Sequence, residues 1–336
     1  MNAEEKFELI TRNLAEVIGQ QELKNLLKEK KEISLYWGTM PTGSPHVAYY
    51  VPLLKVADFL KAGLKVKILI ADLHAALDGV SWEILEKRQR YYEELIPLML
   101  KSISVDLKKL EFVKGSSMQL DKEYFEDLLK LSTIASIRDT TKAASEVIKS
   151  IENPKLGGLI YPIMQALDEE YLKVDIQFGG LDQRKIFVFA REFLPKVGYK
   201  QRIELMNPML PGLMGEKMSS SIKSSKIDMI DNEETVKKKI NNAECREGDK
   251  NNGLLPFIKY VIFTMKKDKK EKFAIKRPEK FGGNVSYSSY EELEKDFITK
   301  KLHPLDLKNS FSEELNKLMS SVRTDKLMEL YKEAYK

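Results

Sequence analysis

Two buried strands joined by one helix constrain the fold of this chain most. The stretches ISLYWG (33–38) and VKILIADL (66–73) are apolar runs of the length that buried strands have. Residues 46–60 between them have a helical pattern, and Pro45 precedes them in a position that suits the first turn. A strand, a helix and a strand in this order form a βαβ unit, which requires a parallel sheet with a right-handed crossover.

Further strands and helices alternate along the first two thirds of the chain. Candidate strands are 110–116, 174–180 and 203–210, and candidate helices are 83–103, 121–150, 161–171 and 182–196. Residues 2–30, before the first strand, have helical periodicity. This order predicts an α/β fold with a Rossmann-like, doubly wound parallel sheet and a largely helical insertion near 117–160.

The pattern changes after residue 228. Helical patterns dominate at 232–243, 253–265, 289–301 and 306–335, with a short extended piece near 273–287. We therefore predict two domains, 1–228 and 229–336, of which the second is mainly α-helical. Most of the net charge of +5 lies in the second domain, an excess too small to identify a polyanionic partner by itself.

Composition excludes several classes of protein. No apolar run reaches the roughly 18 residues that a membrane span needs. The acidic, amphipathic start of the sequence is unlike a secretory or transit peptide. A single cysteine, Cys245, excludes an internal disulfide framework and a cysteine-based zinc site. We expect a soluble cytoplasmic protein with no membrane partner and no protein-held metal.

The first strand is followed by a segment that suits a ligand. In such sheets, ligands bind at the carboxyl ends of the strands. The end of the first strand and the segment after it have the sequence YWGTMPTGSPHVAYY (36–50). His46 would stand in the first turn of the next helix, where free N–H groups attract anions. Neither the GxGxxG fingerprint nor the P-loop sequence is present, so a nucleotide would be bound by a different motif.

The helix predicted at 161–171 carries a polar face before the next such turn. Tyr161, Gln165 and Asp168 are spaced i, i+4 and i+7 and therefore share one face. The sequence GGLDQRK (179–185) then forms a second glycine-containing strand-to-helix turn. An ordinary amphipathic surface helix would account for the polar face alone, but a pocket for a phenol would need this arrangement.

Two short motifs give a specific resemblance. PHVAY (45–49) resembles the HIGH motif of class I aminoacyl-tRNA synthetases, with Ala48 in place of the glycine and Tyr49 in place of the second histidine. KMSSS (217–221) resembles the KMSKS motif of the same class. With YPIMQALDEEYLKVD, QFGGLDQRKIF and HPLDLKNS, the chain resembles tyrosyl-tRNA synthetases of the archaeal and eukaryotic type over about residues 33–315.

The resemblance implies an activity and its partners. The expected reaction is activation of L-tyrosine with ATP to tyrosyl-adenylate and pyrophosphate, followed by transfer of tyrosine to the 3′ end of tRNA(Tyr). ATP would be a substrate accompanied by Mg²⁺, and no cofactor would be permanently bound. The resemblance also implies a homodimer with the helical insertion at its interface, and an anticodon-binding role for the helical domain at 229–336.

Site residues follow from the same resemblance. Those expected to bind tyrosine are Tyr36 and Asp168, which bracket the phenol hydroxyl, and Tyr161, Gln165 and Gln183, which hold the ammonium group. Those expected to bind ATP are Gly43, His46, Tyr49, Gly180, Asp182, Lys217 and Met218. Those expected to act in catalysis are His46, Lys217, Ser219, Ser220 and Ser221, the last four in a loop at 213–225. Phe281 and Asp306 are expected to read the first anticodon base.

Three other functions stay open at this point. A tryptophanyl enzyme shares the fold, but it usually has alanine where this chain has Ser220, and its pocket would lack the pair Tyr36 and Asp168. A non-catalytic tRNA-binding or signalling relative would be expected to have lost His46 or Lys217. A small adenylyltransferase with a HIGH-like turn would not need the second domain.

Overall fold

The computed structural model describes residues 1–30, 32–147, 153, 155–212 and 226–336. By packing, the chain divides into two compact units. The first comprises Met1–Thr42, Lys55–Glu93 and Val105–Met209, and the second comprises Gly43–Leu54, Glu94–Ser104 and Leu210–Lys336. The second unit therefore includes three segments from within the predicted first domain, 43–54, 94–104 and 210–228, and the functional boundary near residue 228 stays a prediction.

A six-stranded sheet forms the centre of the first unit. Its strands are β1 (Glu16–Ile18), β2 (Ser34–Thr39), β3 (Lys65–Ile70), β4 (Leu110–Lys114), β5 (Ile176–Gly180) and β6 (Ile203–Asn207). The spatial order is β1-β6-β5-β2-β3-β4, and all neighbours are parallel except β1, which pairs antiparallel with β6 at one edge. This confirms the predicted parallel α/β sheet.

Helices connect and cover these strands. They are α1 (Ala3–Thr11), α2 (Gln20–Glu29), α3 (Tyr50–Lys61), α4 (Asp72–Leu77), α5 (Trp82–Ser102), α6 (Ser116–Gln119), α7 (Lys122–Ile134), α8 (Ile137–Ala144), α9 (Leu156–Tyr171) and α10 (Arg184–Phe193). Phe59 of α3 packs edge-on against Phe178 of β5. An apolar cluster joins α7, α9 and α10 through residues such as Leu131, Met164 and Phe189. Helices α6 to α8 confirm the helical character of the insertion.

One helical prediction was wrong in part, because a strand interrupts the helices predicted over residues 2–30. Residues 2–30 form α1, then strand β1, then α2, because two left-handed backbone positions separate the three elements. Asn13 has φ 60° and Gly19 has φ 88°, neither of which a helix allows. Between them, Val17 and Ile18 pair with β6, and β-branched residues favour such a pairing.

The second unit is mainly helical after residue 226. Its elements are α11 (Glu233–Asn242), α12 (Leu254–Phe257), α13 (Thr264–Lys269), strands β7 (Phe273–Ile275) and β8 (Val285–Tyr287), α14 (Tyr290–Ile298), α15 (Pro304–Ser320) and α16 (Asp325–Tyr335). A π-helical segment at Ile258–Phe263 joins α12 to α13. The helix expected at 306–335 is two helices, and the Thr324 side chain caps the second by accepting from the Leu327 amide.

None of the helices in the described part of the chain combines the length and the apolar composition that crossing a bilayer requires.

Candidate active site

Helix α9 and strand β2 bring the predicted tyrosine-binding residues together in the first unit. Tyr36 is buried on β2, and Tyr161 and Asp168 are buried on α9. The Tyr36 hydroxyl donates to the carbonyl oxygen of Gln165 at 3.3 Å. The Gln165 amide donates to Oε1 of Gln183 at 3.2 Å, which ties α9 to the turn after β5. These five residues therefore form one connected group.

Asp168 is a carboxylate held by donors on one side. Its Oδ1 accepts hydrogen bonds from Gln119 Nε2 at 2.7 Å and from the Tyr124 hydroxyl at 2.9 Å. Burial raises the pKa of Asp168 to about 7, against the opposing effect of these two donors. No described residue donates a hydrogen bond to Oδ2, so this oxygen is the atom that can accept from a ligand.

Two aromatic rings and a histidine complete this pocket. The His74 ring meets the Tyr161 ring edge-on with centroids 4.7 Å apart, and His74 Nε2 lies 3.8 Å from Oδ2 of Asp168. Burial lowers the pKa of His74 to about 4, so its imidazole is neutral at pH 7. Burial, followed by the charge of Asp168, raises the pKa of Tyr36, which keeps its phenol protonated and able to donate.

Four residues of this pocket were not predicted as site residues from the sequence. Gln119 and Tyr124 approach Asp168 from the insertion, and no spacing in the sequence links them to α9. The sequence did indicate His74 as a candidate, because it follows a strand at the ligand-binding end of the sheet. The sequence could also have indicated Gln177, since it is a lone amide inside an apolar strand.

The carboxyl end of β5 requires its two glycines. A Cβ on Gly179 would lie 2.7 Å from Cζ of Phe187, and a Cβ on Gly180 would lie 2.5 Å from Oδ1 of Asp182. Any larger residue would displace α10 or the Asp182 carboxylate. The turn therefore presents backbone and a carboxylate at the carboxyl end of β5, where the fold places ligands. Gly180 and Asp182, expected to contact ATP, both lie here.

His46 lies in the second unit, where two segments pair. Its backbone forms an antiparallel bridge with Asp228, and the Val47 amide donates to the Ile227 carbonyl oxygen at 2.9 Å. The Ser44 hydroxyl donates to Oδ1 of Asp228 at 2.8 Å. Lys226 lies 3.2 Å from Oδ2 of the same carboxylate. Asp228 thus holds the segment that carries His46 against residues 226–229.

The His46 imidazole is buried and neutral. Burial, with a smaller effect of the Lys226 charge, lowers its pKa to about 4. Its ring meets that of Tyr49 edge-on at 5.7 Å. Nδ1 has no hydrogen-bond partner among the described residues. A neutral imidazole of this kind can donate one hydrogen bond to a phosphate oxygen. Gly43, also expected to contact ATP, belongs to the same unit.

The remaining ATP-binding and catalytic predictions cannot be placed. Lys217, Met218, Ser219, Ser220 and Ser221, together with the rest of the loop at 213–225, lie outside the described residues.

Phe281 and Asp306 both lie in the second unit. Phe281 is 61% exposed and precedes two left-handed glycines, Gly282 and Gly283. The Arg277 guanidinium donates to the carbonyl oxygens of Gly283 at 2.6 Å and of Lys301 at 3.0 Å, which ties this turn to the chain just before α15. Asp306 is in the first turn of α15. An exposed ring and a carboxylate suit contact with an unstacked base, and that role stays a prediction.

His303 has a structural role at the start of the same helix. Its Nδ1 accepts a hydrogen bond from the Leu305 amide at 3.2 Å and so caps α15.

Comparison with known proteins supports the resemblance seen in the motifs. The family model described as tRNA synthetases class I (W and Y) matches residues 28–320. A protein named Tyrosine--tRNA ligase, cytoplasmic, from Gallus gallus is 56% identical over 323 residues, covering 95% of this chain and 60% of that protein. The protein of the same name from Saccharomyces cerevisiae is 50% identical over 330 residues, covering 96% of this chain and 84% of that protein.

A solved structure agrees with this match. The tyrosyl-tRNA synthetase from Archaeoglobus fulgidus, complexed with L-tyrosine, superposes with a TM-score of 0.88 at 38% identity, over 96% of this chain and 99% of that one. The chain thus spans nearly all of the archaeal protein but only 60% of the length of the Gallus gallus relative. The family model and both kinds of relative agree over most of the sequence, and the chain belongs to the class I tRNA synthetases for tryptophan and tyrosine.

Proposed function

We propose that this chain is a tyrosine–tRNA ligase, which forms tyrosyl-adenylate from L-tyrosine and ATP and then transfers tyrosine to the 3′ end of tRNA(Tyr). The family includes enzymes for two amino acids, so the pocket has to decide between them. The observation that carries the proposal is that the protonated Tyr36 phenol and Asp168 share one buried pocket, in which Oδ2 of Asp168 accepts from no described residue. A ligand hydroxyl can donate to the carboxylate and accept from the phenol, whereas an indole has no oxygen to accept.

The chemistry of this reaction needs positioning and no nucleophilic side chain. The carboxylate of tyrosine attacks the α-phosphorus of ATP, the bond to the bridging oxygen breaks, and pyrophosphate leaves. A hydroxyl of the terminal tRNA ribose then attacks the carbonyl carbon, and AMP leaves. Holding the reacting groups in line and stabilising charge on pyrophosphate would supply the rate acceleration. Magnesium would enter on ATP, bound mainly by phosphate oxygens and water.

The residues have separate roles in this proposal. Tyr161, Gln165 and Gln183 would hold the ammonium group, and Gly180 and Asp182 would contact the ribose of ATP. His46 would donate a hydrogen bond to a phosphate oxygen, with Gly43 and Tyr49 beside it in the sequence. Lys217 would counter the charge that develops on pyrophosphate, with Met218 and the hydroxyls of Ser219, Ser220 and Ser221 in the same loop. Phe281 and Asp306 would read the first anticodon base.

A homodimer has support from the insertion. Phe125 and Leu129 of α7 and Ile137 of α8 have more than half of their surface exposed, although all three are large apolar residues. Phe125 and Leu129 are spaced i, i+4 and share one face of α7. A contiguous exposed apolar surface marks a protein interaction site. We propose that this surface is covered by a second copy of the chain. A cytoplasmic location is proposed from the names of the relatives.

Amino-acid-dependent exchange of pyrophosphate with ATP tests the proposal. The protein should catalyse exchange with L-tyrosine, and far more weakly with phenylalanine or tryptophan. Aminoacylation of a tRNA with a tyrosine anticodon should follow with the same preference. Exchange that depends on tryptophan would favour the other enzyme of the family. If the folded protein catalysed no exchange with any amino acid, the proposed activity would be contradicted.

A further inference from the structure

A row of polar side chains crosses the sheet beside Tyr36. Tyr36 on β2 is in register with Gln177 on β5, and Gln177 is in register with Glu204 on β6. Residues in register on neighbouring parallel strands point to the same face of a sheet. Gln177 is 1% exposed and Glu204 is 0% exposed. Because strands of a buried parallel sheet are usually apolar on both faces, this polar row needs a reason.

The first contact of the row fixes the direction of a hydrogen bond. Nε2 of Gln177 donates to the Tyr36 hydroxyl oxygen. An amide NH₂ group can only donate, so the Tyr36 oxygen must accept there, and its single proton points elsewhere. In this structure that proton is directed to the carbonyl oxygen of Gln165 at 3.3 Å, a long hydrogen bond. A ligand oxygen at a better distance would take its place.

The next member of the row, Glu204, makes no hydrogen bond with the Gln177 amide. Oε1 of Gln177 has no hydrogen-bond partner among the described residues, and neither carboxyl oxygen of Glu204 has one. Burial, followed by the charge of Glu169, raises the pKa of Glu204 above its ordinary value. Glu204 adds no contact that fixes the Gln177 amide, so the contact of Gln177 with Tyr36 carries the argument.

The arginines near this row do not pair with Glu204. The Arg202 guanidinium donates to Glu170 and to the carbonyl oxygens of Val174 and Lys200. Arg191 donates to the carbonyl oxygen of Arg202 and to Gln201. Their donors are therefore directed at other acceptors, and Glu204 remains a buried carboxyl group without an ion pair among the described residues.

We infer that Gln177 is a positioning residue for recognition of the tyrosine hydroxyl: its amide donates to the Tyr36 oxygen and so turns the Tyr36 proton toward the ligand. The inference rests on the proposed function. It explains why Tyr36 and Asp168, on either side of the ligand hydroxyl, have different hydrogen-bonding roles. Tyr36 is kept as the donor, and Asp168, whose Oδ1 is already occupied, is kept as the acceptor.

Replacement of the amide by a side chain of similar length tests the inference. Gln177→Met should lower kcat/KM for tyrosine in pyrophosphate exchange by roughly tenfold, mostly through KM, because one hydrogen bond to the ligand loses its fixed direction. Exchange with phenylalanine, which has no hydroxyl, should change little. The ratio of the two substrates is the readout, since a general disturbance of the pocket would lower both equally.

A control variant on the other side of Tyr36 extends the test. Lys67→Met is the matched control. Lys67 is in register with Tyr36 on the other side, but its ammonium group donates to the Leu172 carbonyl oxygen, so the ratio should not change.

A double-mutant cycle distinguishes an effect that acts through Tyr36 from a general loss of folding. If Gln177 acts through the Tyr36 hydroxyl, Gln177→Met should have no further effect on the ratio in a Tyr36→Phe background. Equal effects in both backgrounds would overturn the inference, and so would an unchanged ratio in folded Gln177→Met. Wild-type protein that shows no tyrosine-dependent exchange would instead contradict the proposed function, which keeps the two failures distinct.

Discussion

At the scale of single residues, Asp168 shows how a buried environment prepares a carboxyl group for a ligand. Gln119 and Tyr124 saturate one oxygen, while burial raises the pKa of the group to about 7. Helical spacing predicted that Asp168 shares a face with Tyr161 and Gln165. It could not predict Gln119 and Tyr124, because their contacts with Asp168 depend on how the insertion packs against α9.

The raised pKa predicts how stability depends on pH. A carboxyl group whose pKa rises from 3.8 to about 7 on folding binds its proton more tightly in the folded state. Its stabilising contribution is complete below about pH 4 and is lost as the pH rises to about 7. Between pH 5 and pH 8, wild-type protein should therefore lose about 2–3 kcal/mol of unfolding free energy relative to Asp168→Asn.

Urea denaturation of both proteins at the two pH values measures this difference. Glu169, whose pKa burial raises to about 8, adds a pH dependence to both proteins. The Asp168 charge is the smallest of the causes of that shift, so most of the Glu169 contribution cancels in the comparison. Glu83→Gln, a change at an exposed position of α5, should leave the wild-type pH dependence unchanged. Parallel curves for wild type and Asp168→Asn would contradict the assignment.

Substrate selectivity gives a second prediction at this scale. Tyr36→Leu combined with Asp168→Ala removes both proposed partners of the ligand hydroxyl. The preference for tyrosine over phenylalanine should fall by about 10²- to 10³-fold, the value of one neutral and one charged hydrogen bond. The ratio of kcat/KM values in pyrophosphate exchange measures it. Full retention of the preference in the double variant would show that these residues do not read the hydroxyl.

At the scale of elements, apolar runs in the sequence predicted the parallel strands well. Helical periodicity did not predict strand β1, where the backbone turns between two helices. Strands β2 to β6 lie close to their predicted ranges because buried parallel strands are nearly continuous apolar runs. Strand β1 was missed because Val17 and Ile18 also fit a helical face. Only the left-handed conformations of Asn13 and Gly19, and the pairing with β6, separate it from its flanking helices. Such a pairing is set by residues almost 190 positions away.

The close approach of β5 and α10 predicts the effect of a single methyl group. Gly179→Ala places a Cβ 2.7 Å from the Phe187 ring, which must move, so the variant should lose about 1–3 kcal/mol of unfolding free energy. Gly38→Ala on neighbouring β2 is the matched control, because its Cβ would meet only ordinary contacts at 3.6 Å and beyond.

Chemical denaturation of the two alanine variants compares these costs. Adding Phe187→Leu, which shortens the ring side chain, should recover part of the loss caused by Gly179→Ala. If the two glycine substitutions cost the same, or if the smaller residue at 187 gives no recovery, contact with Phe187 is not the reason for the glycine.

At the scale of the whole molecule, tyrosine recognition and anticodon reading are proposed for residues of different units. The tyrosine pocket belongs to the first unit, while Phe281 and Asp306 belong to the second. Asp306→Ala should weaken charging of a tRNA with guanine at the first anticodon position by roughly 10–100-fold, because one contact to a base edge is lost. Pyrophosphate exchange should be unaffected, since tyrosine and ATP do not contact this residue in the proposed mechanism.

Charging assays with each of the four bases at that position, alongside exchange, decide the role of Asp306. A loss confined to the guanine-bearing tRNA identifies a base reader. An equal loss on all four tRNAs, or a parallel loss of exchange, would mean that Asp306 supports the structure of α15.

The bridge between His46 and Asp228 has a consequence for biosynthesis. The two residues are 182 positions apart in the chain. At about 5–20 residues per second, a ribosome needs on the order of 10–40 s to proceed from one to the other. During that interval the segment at 43–49 has been synthesised but its pairing strand has not. Strand β6, which completes the sheet, ends at Asn207, 21 residues before Asp228, so the sheet and the segment around His46 gain their last partners within about 1–4 s of each other. The segment around His46 therefore stays unanchored for as long as the sheet stays incomplete, which makes it a natural target for chaperones during translation.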